Sequence, residues 1–221
     1  MRDARALLAN VLVVAACALI YELLAATVAS FVLGDTVAQF SIVIGAYLSA
    51  MGLGSFISRW FSRRLLRSFL VVELALSLVG GLSVPVLLVV FTRGGPFRAL
   101  LYADVVVIGV LVGLELPLLM RMLKDDMTLK DVVARAFAFD YVGSLAASLL
   151  FPLVLVPLLG LVRTSIACGL VNCAIAVAST FVLRRRIDGT VTALRVGAAV
   201  VASVLLLALA RADAITAYAT E

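Results

Sequence analysis

Five acidic side chains lie within or at the ends of long apolar stretches in a 221-residue chain of which only 14% is charged. An ionised carboxylate at mid-depth in a membrane helix costs on the order of 3 kcal/mol, so it should face the bundle interior with a partner or be protonated. Glu22 is near the centre of its stretch, and Glu115 and Asp140 lie about two turns inside theirs. These three are therefore candidates for binding a cation or a proton. Glu73 and Asp104 lie within about two turns of a helix end, and we expect their carboxylates to reach the membrane interface.

Tyrosines adjoin two of the candidate acids. Tyr21 precedes Glu22, and Tyr141 follows Asp140, so we include both tyrosines among the candidate ligand or ion-binding residues. Glu115 and Asp140 have similar depths in successive antiparallel helices and are expected to approach each other.

Two interpretations of these acids stay open. In the structural one, the carboxylates accept hydrogen bonds from tyrosines, from Ser144 or from backbone groups freed by Pro117, and so tie the helices together. In the functional one, they form an ion or proton path or a site for a cationic ligand. The nearest candidate counter-ions are Arg121 and Arg135, close to one end of their helices.

Other kinds of chemistry are excluded or unsupported by the residue types present. The chain has no histidine, which excludes a histidine-based triad, histidine-ligated haem and the usual zinc sites. Cys17, Cys168 and Cys173 all fall in apolar stretches, where cysteine usually acts as a small buried hydrophobe. Gly52-Leu53-Gly54 lacks the rest of a phosphate-loop motif and is interpreted as a packing feature. The sequence predicts no catalytic residue, metal ligand or cofactor-binding residue.

The apolar stretches themselves predict the fold. With 65% hydrophobic residues and a mean hydropathy of +1.23, the chain matches an all-α, polytopic transmembrane helix bundle forming one domain over residues 1–221. The first stretch is too long for a signal peptide and contains Glu22, so we expect it to be a retained helix. We predict about seven spans, at residues 6–33, 36–58, 68–91, 99–122, 132–158, 163–183 and 191–210.

Local signals refine these helices. Gly34 suits a helix C-terminus and Asp35 the N-cap of the next helix, so the first two spans should form a hairpin. Pro152 and Pro157 remove backbone donors and could kink the fifth span or make its end re-entrant. Small residues four apart should allow close helix packing within the bundle, in preference to a dedicated dimer face; they are Gly45 with Ser49, Ala50 with Gly54, Gly109 with Gly113, and Gly143 with Ala147.

The basic residues predict an orientation. Fourteen of the 18 fall on one side of the predicted spans, which places the amino terminus in the cytoplasm by the positive-inside rule. An odd number of spans then places Glu221 outside. The fourteen are Arg2, Arg5, Arg59, Arg63, Arg64, Arg67, Arg121, Lys124, Lys130, Arg135, Arg184, Arg185, Arg186 and Arg195.

Short motifs, in order along the chain, resemble the membrane region of spermidine synthase-like proteins, the membrane-bound homologues of polyamine aminopropyltransferases. They are Tyr21-Glu22-Leu23-Leu24 through Gly34, Gln39-Phe40-Ser41, Gly45, Met51-Gly52-Leu53-Gly54-Ser55, Gly113-Leu114-Glu115-Leu116-Pro117-Leu118-Leu119, Phe139-Asp140-Tyr141-Val142-Gly143-Ser144, Phe151-Pro152 and Leu158-Leu159-Gly160-Leu161. The resemblance covers most of the chain.

The resemblance implies that this chain acts together with an enzyme domain or enzyme subunit. In that family the hydrophobic part is followed by a soluble Rossmann-like aminopropyltransferase domain. The catalytic residues of that domain have no counterpart in this chain. The resemblance implies that such a domain would begin near Glu221. The expected function is to anchor or assist an aminopropyltransferase-type domain or partner in polyamine metabolism, in the bacterial cytoplasmic membrane. Two alternatives remain: a small carrier for a cation such as a polyamine or proton, and a structural assembly subunit. The expected partners are the lipid bilayer, such a catalytic domain or subunit, and a second copy of the chain, but no nucleic acid.

Overall fold

The computed structural model describes residues 2–61, 63–184 and 191–220, and within them the chain forms helices joined by short turns, with no β-strand. The all-α class predicted from the sequence is therefore confirmed for this part of the chain. The helices are α1 (Arg2–Leu33), α2 (Thr36–Ile57), α3 (Leu65–Thr92), α4 (Phe97–Leu123), α5 (Leu129–Leu150), α6 (Val156–Val182), α7 (Thr192–Ala210) and the short α8 (Ala212–Thr220).

Among the described residues, six continuous helical stretches are long and apolar enough to cross a membrane by length and composition. The longest, Leu129–Val182, has 54 residues, which at 1.5 Å per residue is about 80 Å and far exceeds one bilayer crossing. Gly160 interrupts it with φ 73° and ψ 175°, a conformation open to glycine alone. The predicted boundary between the fifth and sixth spans lies at this break. Insertion into a membrane and the count of seven crossings stay predictions.

The two prolines near this boundary are accommodated without unwinding the chain. A π-helical turn, Phe151–Leu155, contains Pro152 and joins α5 to α6, and Pro157 is in the first turn of α6. Both positions tolerate a residue that lacks a backbone donor. The break in the helix therefore lies at Gly160 and not at the prolines, where the sequence predicted a kink.

The turn between α1 and α2 has the predicted chemistry. Gly34 adopts φ 71°, and the Asp35 carboxylate accepts a hydrogen bond from the Ala38 backbone N–H at 3.2 Å. The glycine ends α1 and the aspartate satisfies a free donor at the start of α2.

α1 is the central helix of the bundle. Within its most apolar window 61% of the residues are buried, against 17% in α7. α1 packs along α5, α2 along α4, and α3 along α6. The buried side chains form two clusters, one around the first half of α1 and one around the second, so the interior is continuous along the bundle.

Glycines set the closest helix contacts. A Cβ on Gly54 or Gly113 would collide with backbone of the facing helix in the α2–α4 pair, and one on Gly143 would collide with the Leu12 carbonyl oxygen of α1. The small-residue pairs on α2, α4 and α5 therefore serve packing inside the bundle, as predicted. Gly45 is different, because it is exposed and has no neighbour within 4 Å of an added Cβ.

Three residues that contribute to the predicted orientation lie outside the described residues. They are Arg185, Arg186 and Glu221.

Candidate functional site

A cavity of about 220 Å³ lies between the α1–α5 pair and the α2–α4 pair, and we refer to it as the central cavity. Its wall is aliphatic apart from Met51 and five polar residues: Glu22, Tyr47, Glu115, Asp140 and Ser144. All three acids singled out from the sequence therefore line one cavity. Their stretches of sequence are far apart, and only the packing of α1, α4 and α5 brings them together.

Glu115 is the most deeply buried acid of the central cavity. Its residue exposure is 1%, and neither of its carboxyl oxygens has a hydrogen-bond partner among the described residues. Burying a carboxylate without a partner is costly. The structural interpretation, in which tyrosines, Ser144 or backbone freed by Pro117 satisfy this carboxylate, is therefore wrong for Glu115.

Glu73 corrects a second expectation. The sequence predicted that its carboxylate would reach the membrane interface, but it is fully buried on α3, with 0% exposure. Neither of its carboxyl oxygens has a hydrogen-bond partner among the described residues. A spacing signal was present, because Glu73, Ser77, Gly80 and Gly81 lie on one helical face of α3. Asp104, given the same expectation, is only half-buried and is not part of the cavity wall.

The two candidate tyrosines do not join the acids in the cavity wall. Tyr21 is 1% exposed and turns towards α3, where its ring fills the space left by Gly80. Its hydroxyl group has no hydrogen-bond partner among the described residues. Tyr141 is 67% exposed and stacks on Phe137 on the outer face of α5. Tyr141 is therefore not part of the wall of the central cavity.

The two arginines considered as counter-ions, Arg121 and Arg135, are not part of the wall of the central cavity. Arg121 donates hydrogen bonds to the backbone carbonyl oxygens of Ser58 and Phe61, at 2.6 and 3.2 Å, and so fixes the end of α2. Arg135 is exposed and lines a separate polar pocket with Asp126 and Asp131. Neither arginine neutralises the acids of the central cavity.

Two buried polar residues, Tyr47 and Asn172, were not among the candidates predicted from the sequence. Tyr47 of α2 is 1% exposed in the cavity wall, and its hydroxyl donates to the Ala18 carbonyl oxygen of α1 at 2.9 Å. Asn172 of α6 is fully buried, and both polar atoms of its amide lack a partner among the described residues. A polar amide within an apolar stretch was the available signal for Asn172.

The acids are spread along the central cavity. Gly143 of α5 packs against Leu12 and Ala15 of α1, and Asp140 is one turn earlier in α5, whereas Glu22 is 7 to 10 residues further along α1. The helical rise then separates Glu22 and Asp140 by on the order of 15 Å along the axis. Among the described residues no three acidic or cysteine side chains converge enough to hold one metal ion. The geometry suits an elongated cation with an apolar middle better than a single small ion.

The chain is similar over most of its length to curated proteins with one shared name. It is 44% identical over 216 residues to the protein of Leptospira interrogans named polyamine aminopropyltransferase, which covers 98% of this chain. It is 55% identical over 170 residues, 76% of the chain, to polyamine aminopropyltransferase 2 of Ralstonia nicotianae. It is 38% identical over 203 residues, 90% of the chain, to polyamine aminopropyltransferase 1 of Streptomyces coelicolor.

The match covers only part of each relative. The aligned region is 43% of the Leptospira protein, 33% of the Ralstonia protein and 38% of the Streptomyces protein. No family model matches the chain, and no solved structure matches it. The homology to proteins named for aminopropyl transfer thus agrees with the resemblance found in the sequence motifs, over a region that is about two fifths of their length.

Proposed function

We propose that this chain is the integral membrane region of a polyamine aminopropyltransferase-type protein, which holds an aminopropyltransferase-type domain or partner at the bacterial cytoplasmic membrane. The observation that carries the proposal is the 44% identity over 98% of the chain to a protein of that name. The apolar helices supply the means of anchoring, since six stretches have the length and composition of membrane spans.

The outer surface of the bundle supports insertion in lipid. Large apolar side chains are exposed on the peripheral helices, among them Leu145 and Leu149 of α5 and Leu206 and Leu207 of α7. Contiguous apolar surface of this kind is unusual on a monomeric soluble protein. In a bilayer the same side chains contact lipid tails at no cost.

Membrane extraction and activity together test this proposal. Membranes from cells that express the chain in its native context are washed with alkaline carbonate, floated on a density gradient and assayed for aminopropyl transfer. We expect the chain to stay with the lipid and the activity to co-purify with it in detergent. Release of the chain into the wash without detergent contradicts the membrane proposal, and an absence of activity from every detergent fraction contradicts the transferase connection.

The central cavity favours a second candidate function, a carrier for a cation. Three carboxyl groups line one cavity, and that of Glu115 is buried with no hydrogen-bond partner in the part of the chain that the structure describes, as expected for a group whose partner is a ligand. Vesicles containing the purified chain test it by uptake of labelled 1,4-diaminobutane. Uptake that is lost in Glu115→Gln and Asp140→Asn but kept in Asp104→Asn supports transport, whereas uptake no greater than that of empty vesicles rejects it.

A further inference from the structure

A second cavity, of about 410 Å³, lies at the end of the bundle where α1 and α5 begin, and we refer to it as the end pocket. Two arginines and two aspartates line it: Arg5 of α1, Arg135 and Asp131 of α5, and Asp126 of the turn before α5. Among the described residues, the end pocket shares no lining residue with the central cavity. It is therefore a separate site, and its wall carries charges of both signs.

The two arginines of the end pocket lie at the same level on neighbouring helices. Gly143 of α5 packs against Leu12 of α1. Arg135 precedes Gly143 by eight residues, and Arg5 precedes Leu12 by seven. Because α1 and α5 meet both at this contact and at the end pocket, they run in the same direction, and the helical rise places each arginine about 10–12 Å from the contact.

Neither arginine is neutralised within the part of the chain that the structure describes. The ion pair found there joins Arg163 to Asp213, and Arg5 and Arg135 are both exposed. Each guanidinium group is a planar fork of donors that matches two oxygens of a phosphate group. The end pocket therefore offers two such forks to one ligand.

The aspartates restrict the kind of ligand that fits. An anion bound to the two guanidinium groups would also face two carboxylates, and a cation bound to the carboxylates would face two guanidinium groups, so either alone leaves like charges close together. A ligand that carries both signs of charge satisfies all four groups. Leu8 and Met127 add an apolar part to the wall, which suits a ligand with a hydrocarbon portion.

An apolar track leads away from the end pocket along α5. The helical face that carries Arg135 continues with Phe139, Val142 and Leu149, and all three side chains are exposed. From Arg135 to Leu149 the helix rises by about 21 Å, which exceeds the roughly 15 Å of hydrocarbon in one leaflet of a bilayer. One acyl chain can therefore lie against this face while its headgroup occupies the end pocket.

We propose that the end pocket binds the headgroup of a zwitterionic phospholipid with a primary ammonium group. The phosphodiester group is bound by Arg5 and Arg135, and the ammonium group by Asp126 and Asp131. Basic pockets at the cytoplasmic ends of membrane helices are known sites for phospholipid headgroups, and this end of the bundle is the one predicted to face the cytoplasm. The inference rests on the proposed membrane location of the chain and is independent of whether the chain holds a catalytic domain.

Native mass spectrometry of the purified full chain tests the headgroup preference. The delipidated chain in detergent is titrated with dioleoylphosphatidylethanolamine, dioleoylphosphatidylglycerol and dioleoylphosphatidylcholine, which differ in the headgroup alone. We expect the ethanolamine lipid to bind roughly threefold to tenfold more tightly than the other two, because the glycerol headgroup has no ammonium group and the choline headgroup has no N–H donor. Equal binding of the three lipids overturns the proposal.

Two further measurements separate this inference from the proposal on which it rests. Phosphoethanolamine without acyl chains should compete with the lipid only at a much higher concentration, and competition at equal concentration overturns the assignment to a lipid. A chain that stays monodisperse in buffer without detergent contradicts the membrane location itself. A chain that needs detergent but does not distinguish the lipids overturns this inference alone.

Variants of exposed residues locate the site. Arg5→Gln and Arg135→Gln should each weaken binding of the ethanolamine lipid by roughly threefold to tenfold. Arg67→Gln is the matched control, because Arg67 is an exposed arginine at the same predicted side of the membrane but outside the end pocket. An equal loss in Arg67→Gln would mean that general surface charge, and not this pocket, attracts the lipid.

A change of preference distinguishes ligand contact from a structural role. Asp126→Asn removes one negative charge from the wall of the end pocket, so it should weaken the ethanolamine lipid and strengthen the glycerol lipid. A loss of structure at the turn before α5 would instead weaken all three lipids alike. An unchanged order of the three affinities in Asp126→Asn contradicts the proposal.

Discussion

The hydroxyl group of Tyr47 on α2 donates a hydrogen bond to the backbone carbonyl oxygen of Ala18 on α1, at 2.9 Å and buried in the wall of the central cavity. It joins the two helices of the first hairpin at the central cavity, which both residues line. The bond holds one wall of the proposed site in place.

Removal of this bond has a defined cost. Tyr47→Phe keeps the ring and deletes the donor, so we expect a loss of about 1 kcal/mol in the free energy of unfolding, the usual net value of a buried hydrogen bond. Thermal unfolding in detergent measures it. Tyr141→Phe is the matched control, because Tyr141 is 67% exposed; an equal loss in both variants would contradict the assignment.

Gly143 and Gly45 should respond to alanine in opposite directions. A Cβ at Gly143 collides with the Leu12 carbonyl oxygen, so Gly143→Ala must separate α5 from α1 and should destabilise the bundle by about 1–3 kcal/mol. Gly45 has open space around it, and Gly45→Ala should stabilise its helix by roughly 0.5–1 kcal/mol. Unfolding midpoints of the two variants in one detergent test this; a shift of the same sign in both rejects the packing role of Gly143.

The buried carboxyl group of Glu73 should reduce the stability of the folded chain. Glu73 is fully buried and its carboxyl oxygens have no hydrogen-bond partner among the described residues, so for Glu73→Gln we expect the free energy of unfolding to rise by about 1 kcal/mol at pH 8, or Tm by roughly 2–4 °C. The gain should grow as pH rises, because burial penalises only the ionised form. Melting curves between pH 6 and pH 9 measure the trend. A gain independent of pH would show that ionisation is not the cause.

The ion pair between Arg163 and Asp213 should contribute little. The Arg163 Nη2 atom lies 2.6 Å from Asp213 Oδ1, but the two side chains are 43% and 85% exposed. Solvent screens such a pair, so Asp213→Asn should change stability by less than about 1 kcal/mol. A double-mutant cycle with Arg163→Gln gives the coupling energy, and a value well above 1 kcal/mol would mean that α8 depends on this contact.

The three thiols should be unreactive in the folded chain. Cys17, Cys168 and Cys173 are free and at most 5% exposed, as predicted for small buried hydrophobes. Maleimide labelling followed by mass spectrometry should find no label before denaturation and three after it. Rapid labelling of the native chain would contradict the packing of α1 against α6.

Much of the fold was encoded locally and could be predicted from the sequence. Apolar runs mark the helices, and the Gly34-Asp35 turn follows from the preferences of those two residues alone. Glu22, Glu115 and Asp140 stood out for the same reason, because a carboxyl group inside an apolar run is costly wherever the helix packs.

Only the tertiary structure decided which way each side chain faces. Position along the sequence gives the depth of a residue in its helix but not the rotation of that helix against its neighbours. The rotation depends on packing between distant segments, such as Gly143 against Leu12 and the Tyr21 ring against Gly80. The carboxylate of Glu73 was therefore expected at the membrane interface and is fully buried, whereas Tyr141, a candidate ligand residue, is exposed. The sequence determined that acids would lie within a helical bundle, and the packing determined that Glu73 and Glu115 would be the two that are fully buried.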